Sequence, residues 1–213
     1  MGYKGGIVFP LIKESKVIVD IGAKNGKEAK RFLKLAPKSD IYIFEPLPRW
    51  HKHLKSKFGK KSNCFVYGCA ISDSDGVADF NVSVGGSQNS SSLRKPTERH
   101  SAEFSKTPIK VETRRLDTWY EEAGLNIIDF IWSDVEGAER ELIMGGNKAL
   151  RNTKYFYTEY SEKEYLKGQA LLPEIIKLVS DIGFEKVEIF PWFNKQKNKL
   201  WHFGDILFRN KNL

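Results

Sequence analysis

The chain has 213 residues, of which 40% are hydrophobic and 29% are charged, an ordinary composition for a globular protein. No apolar run approaches the roughly 18 residues that a membrane-spanning helix needs, so the sequence predicts no membrane span. Lys and Arg number 35 against 27 Asp and Glu, a formal net charge of +8 that favours an anionic partner, although the basic residues are scattered, with local clusters at 52–61 and 195–199.

The first half of the chain alternates strands and helices in its hydrophobic pattern. Strand, helix, strand and helix are predicted in turn at residues 17–21, 27–35, 41–44 and 48–58. A third strand is predicted at 64–69, and it leads into Ala70, Ile71 and Ser72. Residues 77–84 alternate between apolar and polar side chains, which predicts an antiparallel edge or hairpin strand.

Residues 85–108 differ from their surroundings because they are rich in Ser, Gly, Asn and charged residues. A loop of this length inside a domain is usually functional or disordered, and we predict a lid or a substrate loop. Regular patterns then resume. They predict an extended segment at 109–113, a helix at 116–123, a strand at 127–133, a helix at 137–150, a strand at 155–160, a helix at 171–182, and a closing hairpin at 186–190 and 203–208.

Repeated β-α units of this kind predict an α/β fold with a mostly parallel sheet, helices on both faces and an antiparallel hairpin at one edge. Ligands of open α/β sheets bind outside the carboxyl ends of the strands. Three apolar strands end in the acids Asp20, Glu45 and Asp134, and Glu136 follows closely. We therefore expect these carboxylates to line one crevice with the turn at 22–26, as a site for a nucleotide-like ligand.

Gly22 and Gly26 flank a tight turn after the first strand, where glycine lets the backbone approach a ligand closely. Their Gly-x-x-x-Gly spacing matches neither the dinucleotide fingerprint Gly-x-Gly-x-x-Gly nor a P-loop. Glu45 ends the next strand about 20 residues further on, where an acid can bind the ribose hydroxyls of an adenosine. NAD and ATP are therefore disfavoured relative to an adenosine ligand without a pyrophosphate, such as S-adenosylmethionine.

Several motifs in chain order carry a resemblance to a known family. They are VIVDIGAKNG (17–26), FEP (44–46), AIS (70–72), RLD (115–117), DFIWSDVEGAE (129–139) and GDILF (204–208). This chain resembles the FkbM family of S-adenosylmethionine-dependent methyltransferases over nearly its whole length, and the motif at 129–139 is the most specific. The resemblance implies a class I, Rossmann-like methyltransferase fold with a seven-stranded sheet, and O-methylation of a hydroxyl, often on a sugar or a natural product.

The resemblance also implies roles for individual residues. Cofactor contacts would come from the first turn, from the ribose-binding acid with the proline after it, and from the segment beside the adenine. These positions are Asp20, Gly22, Ala23, Asn25 and Gly26, then Glu45 and Pro46, then Ala70, Ile71 and Ser72. Asp134 would lie beside the reactive methyl group. Trp132 stands where many members carry Lys, so the resemblance leaves the acceptor open.

A hydroxyl is a poor nucleophile, so a general base or a metal should help to remove its proton. The predicted catalytic residues are Asp134, Glu136 and Glu159, with Asp134 as the favoured base and Glu159 second. These carboxylates could also hold a divalent metal, although no spacing demands one. Two other readings of the residues stay open. Asp134 and Glu136 precede the helix predicted at 137, so they could instead stabilise the N-terminus of that helix. His100 and His202 are weaker candidate bases.

Aromatic residues could stack on a sugar, although packing in the core or the hairpin is the expected role of most of them. They are Trp119, Tyr120, Trp192, Phe193 and Trp201.

The main hypothesis is an O-methyltransferase acting on a sugar hydroxyl in a glycan or glycoconjugate, for example a deoxyhexose such as rhamnose. The alternatives are an RNA ribose 2′-O-methyltransferase, prompted by the positive charge, and a nonenzymatic adenosine-binding module. Residues 133–136 lack the Asn/Asp-Pro-Pro-aromatic motif of enzymes that methylate bases.

One domain is expected from residue 1 to 213. The chain begins close to its first predicted strand without extra substrate helices, which fits a domain excised from a longer enzyme about as well as a small free enzyme. Cys64 and Cys69 give no disulfide framework and are expected to be small buried thiols. Without a signal peptide pattern at 1–10, we expect a cytoplasmic protein. The sequence leaves the oligomeric state open.

Overall fold

The computed structural model describes residues 4–84, 90–194 and 199–213. Residues 85–89, the start of the predicted loop, and residues 195–198, most of the second basic cluster, lie outside the described residues. The elements in chain order are α1 (Lys4–Glu14), β1 (Val17–Ile21), α2 (Lys27–Leu35), β2 (Asp40–Phe44), α3 (Pro48–Phe58), β3 (Cys64–Tyr67), β4 (Cys69–Ser72), β5 (Gly76–Phe80), a 3₁₀ helix (Glu98–Glu103), β6 (Ile109–Arg115), α4 (Leu116–Glu122), β7 (Ile128–Ser133), α5 (Glu139–Gly145), α6 (Asn147–Arg151), β8 (Thr153–Ser161), α7 (Leu172–Ile182), β9 (Phe184–Asn194) and β10 (Lys199–Asn210).

Seven strands form the main sheet in the order β3-β2-β1-β7-β8-β10-β9. The pairs β1–β2, β1–β7, β2–β3 and β7–β8 are parallel, whereas β10 is antiparallel to both β8 and β9. The chain winds outward in both directions from β1, so the carboxyl ends of β1 and β7 flank the topological switch point. The predicted fold, a seven-stranded mostly parallel sheet with an antiparallel C-terminal hairpin, is confirmed.

Both faces of the sheet are covered by helices, so the central strands β1, β2 and β7 are buried at nearly every position. On one face, Val8 of α1, Phe32 of α2 and Phe58 of α3 pack against strand residues such as Ile18. On the other face, α4, α5, α6 and α7 pack against Val19 and its neighbours. Within the described ranges, no helix is both long enough and apolar enough to cross a membrane.

The predicted strand at 64–69 is in fact two strands in different sheets. β3 is the edge of the main sheet, while β4 pairs in parallel with β6 in a three-stranded sheet whose third strand is β5. Gly68 lies between them, and a Cβ there would be 2.5 Å from Nδ1 of His51, so the backbone turns tightly against α3. The predictions that Cys64 and Cys69 are buried and that β5 is antiparallel are confirmed.

One helix prediction was wrong, and one helix was not predicted. The helix predicted at 137–150 divides into α5 and α6 at Gly145 and Gly146, where glycine has low helix propensity and the backbone packs against Ser72 and Leu116. The chain also does not enter β1 directly, because α1 precedes it. No helix is predicted from the sequence here because Gly5, Gly6 and Pro10 have low helix propensity. The helix is stabilised by the complete burial of Val8 and Ile12 against the sheet.

Candidate active site

A cavity of about 990 Å³ opens at the carboxyl ends of the parallel strands. Most of the predicted site residues line it, as the strand-end argument required. These are Asp20, Gly22, Ala23, Asn25, Glu45, Pro46, Ala70, Ile71, Asp134, Glu136 and Glu159. Gly26 and Ser72 are not among the lining residues. Gly26 (φ +70) packs against Leu54 and Phe58 of α3, and the Ser72 carbonyl lies against Gly145.

The turn between β1 and α2 lies directly against the end of β7. Gly22 has φ +84, and a Cβ on it would overlap the carbonyl oxygen of Asp134. The amide of Asp134 donates a 2.9 Å hydrogen bond to the carbonyl of Ile21. Glycine at position 22 therefore lets two strand ends meet, and this contact fixes the backbone of Asp134 beside the turn.

Glu45 ties the end of β2 to the same turn. Its Oε2 accepts a 2.7 Å hydrogen bond from the amide of Lys24, which has φ +48, and its Oε1 accepts a 2.8 Å bond from the amide of Leu47. Each carboxylate oxygen keeps a second lone pair for a ligand hydroxyl. Burial raises the pKa of Glu45, and the two backbone donors oppose that rise.

Asp20 lies under the turn, and its side chain is almost completely buried. Its Oδ2 is buried without a hydrogen-bond partner. Burial raises the pKa of Asp20 well above its usual range, and the neighbouring charges of Glu28 and Asp134 add to the effect. A buried acid with an unsatisfied oxygen in an acidic surrounding fits a site that receives a positively charged group.

Asp134, Glu136 and Glu159 meet in the centre of the cavity, with one carboxylate oxygen from each within 4.8 Å of the others. The Asp134 side chain is the most exposed of the three. Burial raises the pKa of Glu159 well above its usual range, followed by the charges of Asp134, Glu136 and Glu139 and by a hydrogen bond with Asp134. Burial and the charge of Asp134 likewise raise the pKa of Glu136. Such a group can share protons or hold a divalent cation.

The loop that carries Glu136 has a special backbone. Glu136 has φ +49 and Gly137 has φ +89, and a non-glycine residue in this region is uncommon and often marks a functional site. Ser92, fully buried in the segment after residue 90, donates a 2.6 Å hydrogen bond to the carbonyl of Glu136. No pattern in the sequence indicated this role of Ser92.

Glu139 is a second residue whose role sequence reasoning missed, although it lies in the motif at 129–139. Its Oε1 accepts a 3.1 Å hydrogen bond from the amide of Gly137, so its side chain stabilises the loop that carries Glu136. Burial raises the pKa of Glu139 to about 7, although hydrogen bonds from the backbone at Gly137 and at its own amide lower it. The feature of the sequence that pointed to Glu139 was its position in the motif at 129–139.

We expect Glu139→Gln to remove part of the pH dependence of stability. The folded pKa of about 7 lies above the ordinary value of 4.5, so the unfolded chain releases the proton first as pH rises. The contribution of this carboxyl to the unfolding free energy therefore declines between these two pH values, by on the order of 3 kcal/mol. Urea unfolding at about pH 5 and about pH 8 should show a smaller decline for Glu139→Gln than for the wild type. Equal declines would contradict the raised pKa.

The predicted loop forms part of the cavity wall, where the structure describes it. Ser90, Ser91 and Leu93 line the cavity, as do His100 and Glu103 of the 3₁₀ helix. Nδ1 of His100 lies 2.9 Å from Oε1 of Glu103. This position supports the prediction of a substrate loop.

His202 was the other weaker candidate base. It lies on β10 but is only half-buried, with Nδ1 3.5 Å from a carboxylate oxygen of Glu162. It is not among the residues that line the cavity. Its ring reaches the surface and faces an exposed acid, so His202 lies outside the cavity in which a base would act.

The five candidate aromatic residues divide into three groups. Trp119 and Tyr120 of α4 are buried in the core, as expected of most of them. Trp192 and Trp201 line the cavity, whereas Phe193 is exposed outside it.

Asp205 of β10 also lines the cavity and accepts a 2.8 Å hydrogen bond from Nε1 of Trp192. Its signals in the sequence were a carboxylate inside an otherwise apolar strand and a position in the motif at 204–208.

The strand order and the cavity at the switch point define the class I methyltransferase fold. Solved structures with this fold include fibrillarin from Aeropyrum pernix, with a TM-score of 0.56 and 16% identity over 96% of this chain and 70% of that chain. They also include magnesium protoporphyrin IX methyltransferase (ChlM) from Synechocystis PCC 6803, with a TM-score of 0.55 and 8% identity over 96% and 76% of the two chains. At such low identity the likeness concerns the fold alone.

This chain belongs to the FkbM methyltransferase family, because the model described as "Methyltransferase FkbM domain" matches residues 20–186. It is 41% identical over 216 residues to the 2-O-methyltransferase NoeI of Sinorhizobium fredii (strain NBRC 101917 / NGR234), a match that covers 97% of this chain and 84% of that protein. The predicted family is confirmed, and the chain is a methyltransferase.

Proposed function

We propose that this enzyme transfers a methyl group from S-adenosylmethionine to a hydroxyl of a sugar in a glycan or glycoconjugate, for example a deoxyhexose such as rhamnose. The observation that carries the proposal is the cluster of Asp134, Glu136 and Glu159, whose carboxylate oxygens lie within 4.8 Å of one another inside the cavity that the Gly22 turn also lines. The 41% identity to a 2-O-methyltransferase supports an oxygen atom as the acceptor.

The donor site would combine the Gly22 turn with the acids around it. S-adenosylmethionine carries a positive sulfonium and an amino group, and the acids Asp20 and Asp134 offer the complementary charge. The spare lone pairs of Glu45 would accept the ribose hydroxyls, and Ala70 and Ile71 would border the adenine. When bound, S-adenosylmethionine supplies an activated methyl group, whose transfer breaks a C–S bond and forms a C–O bond.

Asp134 is the proposed general base for the acceptor hydroxyl. It is the most exposed of the three central carboxylates, and its backbone is fixed against the turn that would hold the donor. It would accept the hydroxyl proton as the oxygen attacks. Glu159, hydrogen-bonded to Asp134, would orient that carboxylate, and Glu136 would complete the acidic surrounding.

The charge of the cavity favours a neutral acceptor over RNA. Acidic side chains predominate among the described residues that line it. They are Asp20, Glu28, Glu45, Glu103, Asp134, Glu136, Glu139, Glu159 and Asp205, against Lys24 and Lys27. RNA-binding sites usually carry the opposite charge because they must neutralise phosphates. The net charge of +8 therefore does not describe the cavity itself.

A methyl-transfer assay tests the acceptor class. Wild-type protein with S-adenosylmethionine labelled in its methyl group should label a mixture of rhamnose-containing oligosaccharides and leave single-stranded RNA unlabelled. The label should be recovered as a methyl ether. The same assay with EDTA should keep its activity if the carboxylates act alone, and activity restored by Mg²⁺ would instead place a cation among them. Label on RNA ribose with none on sugar would overturn the proposal.

A further inference from the structure

One side of the cavity is a cluster of ring side chains, which we call the aromatic wall: Trp192, Trp201, Phe203 and Tyr165. Phe203 is its centre. The Trp201 ring stacks on it at 5.1 Å between centroids, and the Trp192 and Tyr165 rings meet it edge-on at 5.2 and 5.8 Å. Trp192 and Trp201 remain 42% and 38% exposed, which is unusual for side chains that could bury so much apolar area.

A break in the β9–β10 pairing builds this wall. Leu200 pairs with Phe193 and Gly204 pairs with Pro191, so β10 carries two more residues than β9 between these pairs. Extra residues of this kind redirect side chains and recur next to active sites. The irregular segment contains Trp201 and Phe203, and both of them line the cavity.

The wall is connected to the central carboxylates. Nε1 of Trp192 donates a 2.8 Å hydrogen bond to Asp205, which fixes the indole ring. Asp205 pairs in register with Glu159 across β10 and β8, so both side chains lie on the same face of the sheet. Glu159 in turn is hydrogen-bonded to Asp134. An acceptor lying on the wall would therefore have the proposed base within the same cavity.

We propose that the aromatic wall is the acceptor subsite, where the indole face of Trp192 binds the apolar face of a sugar ring, Trp201 borders that ring at an angle, and the hydroxyl edge of the sugar is directed toward Asp134. The inference rests on the proposed function and names the residues that select the substrate. A sugar ring has an apolar C–H face and a polar rim, which suits rings that are apolar on one side and border a polar cavity. A nucleobase of RNA could also stack there, but the phosphates of the RNA backbone would meet the acidic lining.

Three variants separate stacking from other roles. Trp192→Ala removes the ring, Trp192→Phe keeps an aromatic face but loses the bond to Asp205, and Phe193→Ala is the matched control. Phe193 is the next residue on β9, is 51% exposed and does not line the cavity. Each protein, saturated with S-adenosylhomocysteine, would be applied to a glycan array rich in deoxyhexose-terminated oligosaccharides and to single-stranded RNA oligonucleotides. The best-bound glycan would then serve as substrate in steady-state kinetics.

We expect Trp192→Ala to weaken glycan binding and raise the acceptor KM about tenfold or more, with kcat changed far less. Trp192→Phe should keep most of the affinity, and Phe193→Ala should match the wild type. Unchanged glycan affinity in Trp192→Ala, or a wild type that binds RNA or nothing, would overturn the inference. Calorimetric binding of S-adenosylmethionine to all variants keeps this outcome distinct from a failure of the proposed function, in which the wild type itself would bind no donor.

Discussion

Asp134→Asn is expected to lower kcat by about 10²- to 10⁴-fold, the usual contribution of a positioned general base. Asparagine has nearly the same shape but cannot accept the hydroxyl proton at neutral pH. The backbone of residue 134, which contacts Gly22 and bonds to Ile21, should stay in place. We therefore expect the affinity for S-adenosylhomocysteine, which lacks the sulfonium charge, to change by no more than a few-fold.

The control for this prediction is Asp181→Asn. Asp181 is an exposed acid on α7 that pairs with Lys177 at 2.9 Å, and such surface pairs contribute little to stability. This variant should keep full activity. Steady-state turnover and calorimetric titration of all three proteins decide the matter, and full turnover in Asp134→Asn with normal cofactor binding would remove Asp134 from the role of base.

Gly22→Ala is expected to abolish donor binding, with at least a hundredfold loss of affinity. An alanine Cβ would overlap the carbonyl oxygen of Asp134, and φ +84 is strained for a side chain, so the turn must move away from the end of β7. The strain from the dihedral angle alone costs about 1–3 kcal/mol. We therefore also expect a lower melting temperature, measured by circular dichroism alongside the donor titration.

Gly6→Ala is the matched control, because it adds the same methyl group where nothing lies within 4 Å. Gly6 is in α1, and alanine there should stabilise the helix by up to about 1 kcal/mol. The melting temperature of this variant should be equal or higher, with donor affinity unchanged. Normal donor binding and normal stability in Gly22→Ala would show that the close approach at Gly22 does not shape the site.

Local patterns were sufficient for the helices α2 and α3 and for the parallel strands β1, β2, β7 and β8. Their apolar residues follow one period throughout, and clear signals such as Pro37 and Pro48 mark their ends. Helix α1 escaped prediction because its stability comes from tertiary burial of Val8 and Ile12, against the propensity of its glycines and proline. The division of the 64–69 strand depends on the approach of His51 to Gly68, which no local pattern contains.

The central acids of the site could be predicted because parallel strands bring their carboxyl ends to one edge. The supporting residues could not. Ser92 reaches Glu136 across 44 positions of sequence, and Asp205 meets Trp192 only through the pairing of β9 and β10. The aromatic residues show the same limit, since Trp119 and Trp192 look alike in sequence but lie in the core and in the cavity wall.

Calorimetric titration of S-adenosylmethionine, S-adenosylhomocysteine and NAD into the wild-type protein is the most direct test of the central claim. We expect micromolar binding of the first two at a single site and no binding of NAD, because the Gly22 turn lacks the pyrophosphate fingerprint. A folded protein that binds NAD but neither adenosyl compound, or that binds none of the three, would show that the cavity is not a site for S-adenosylmethionine.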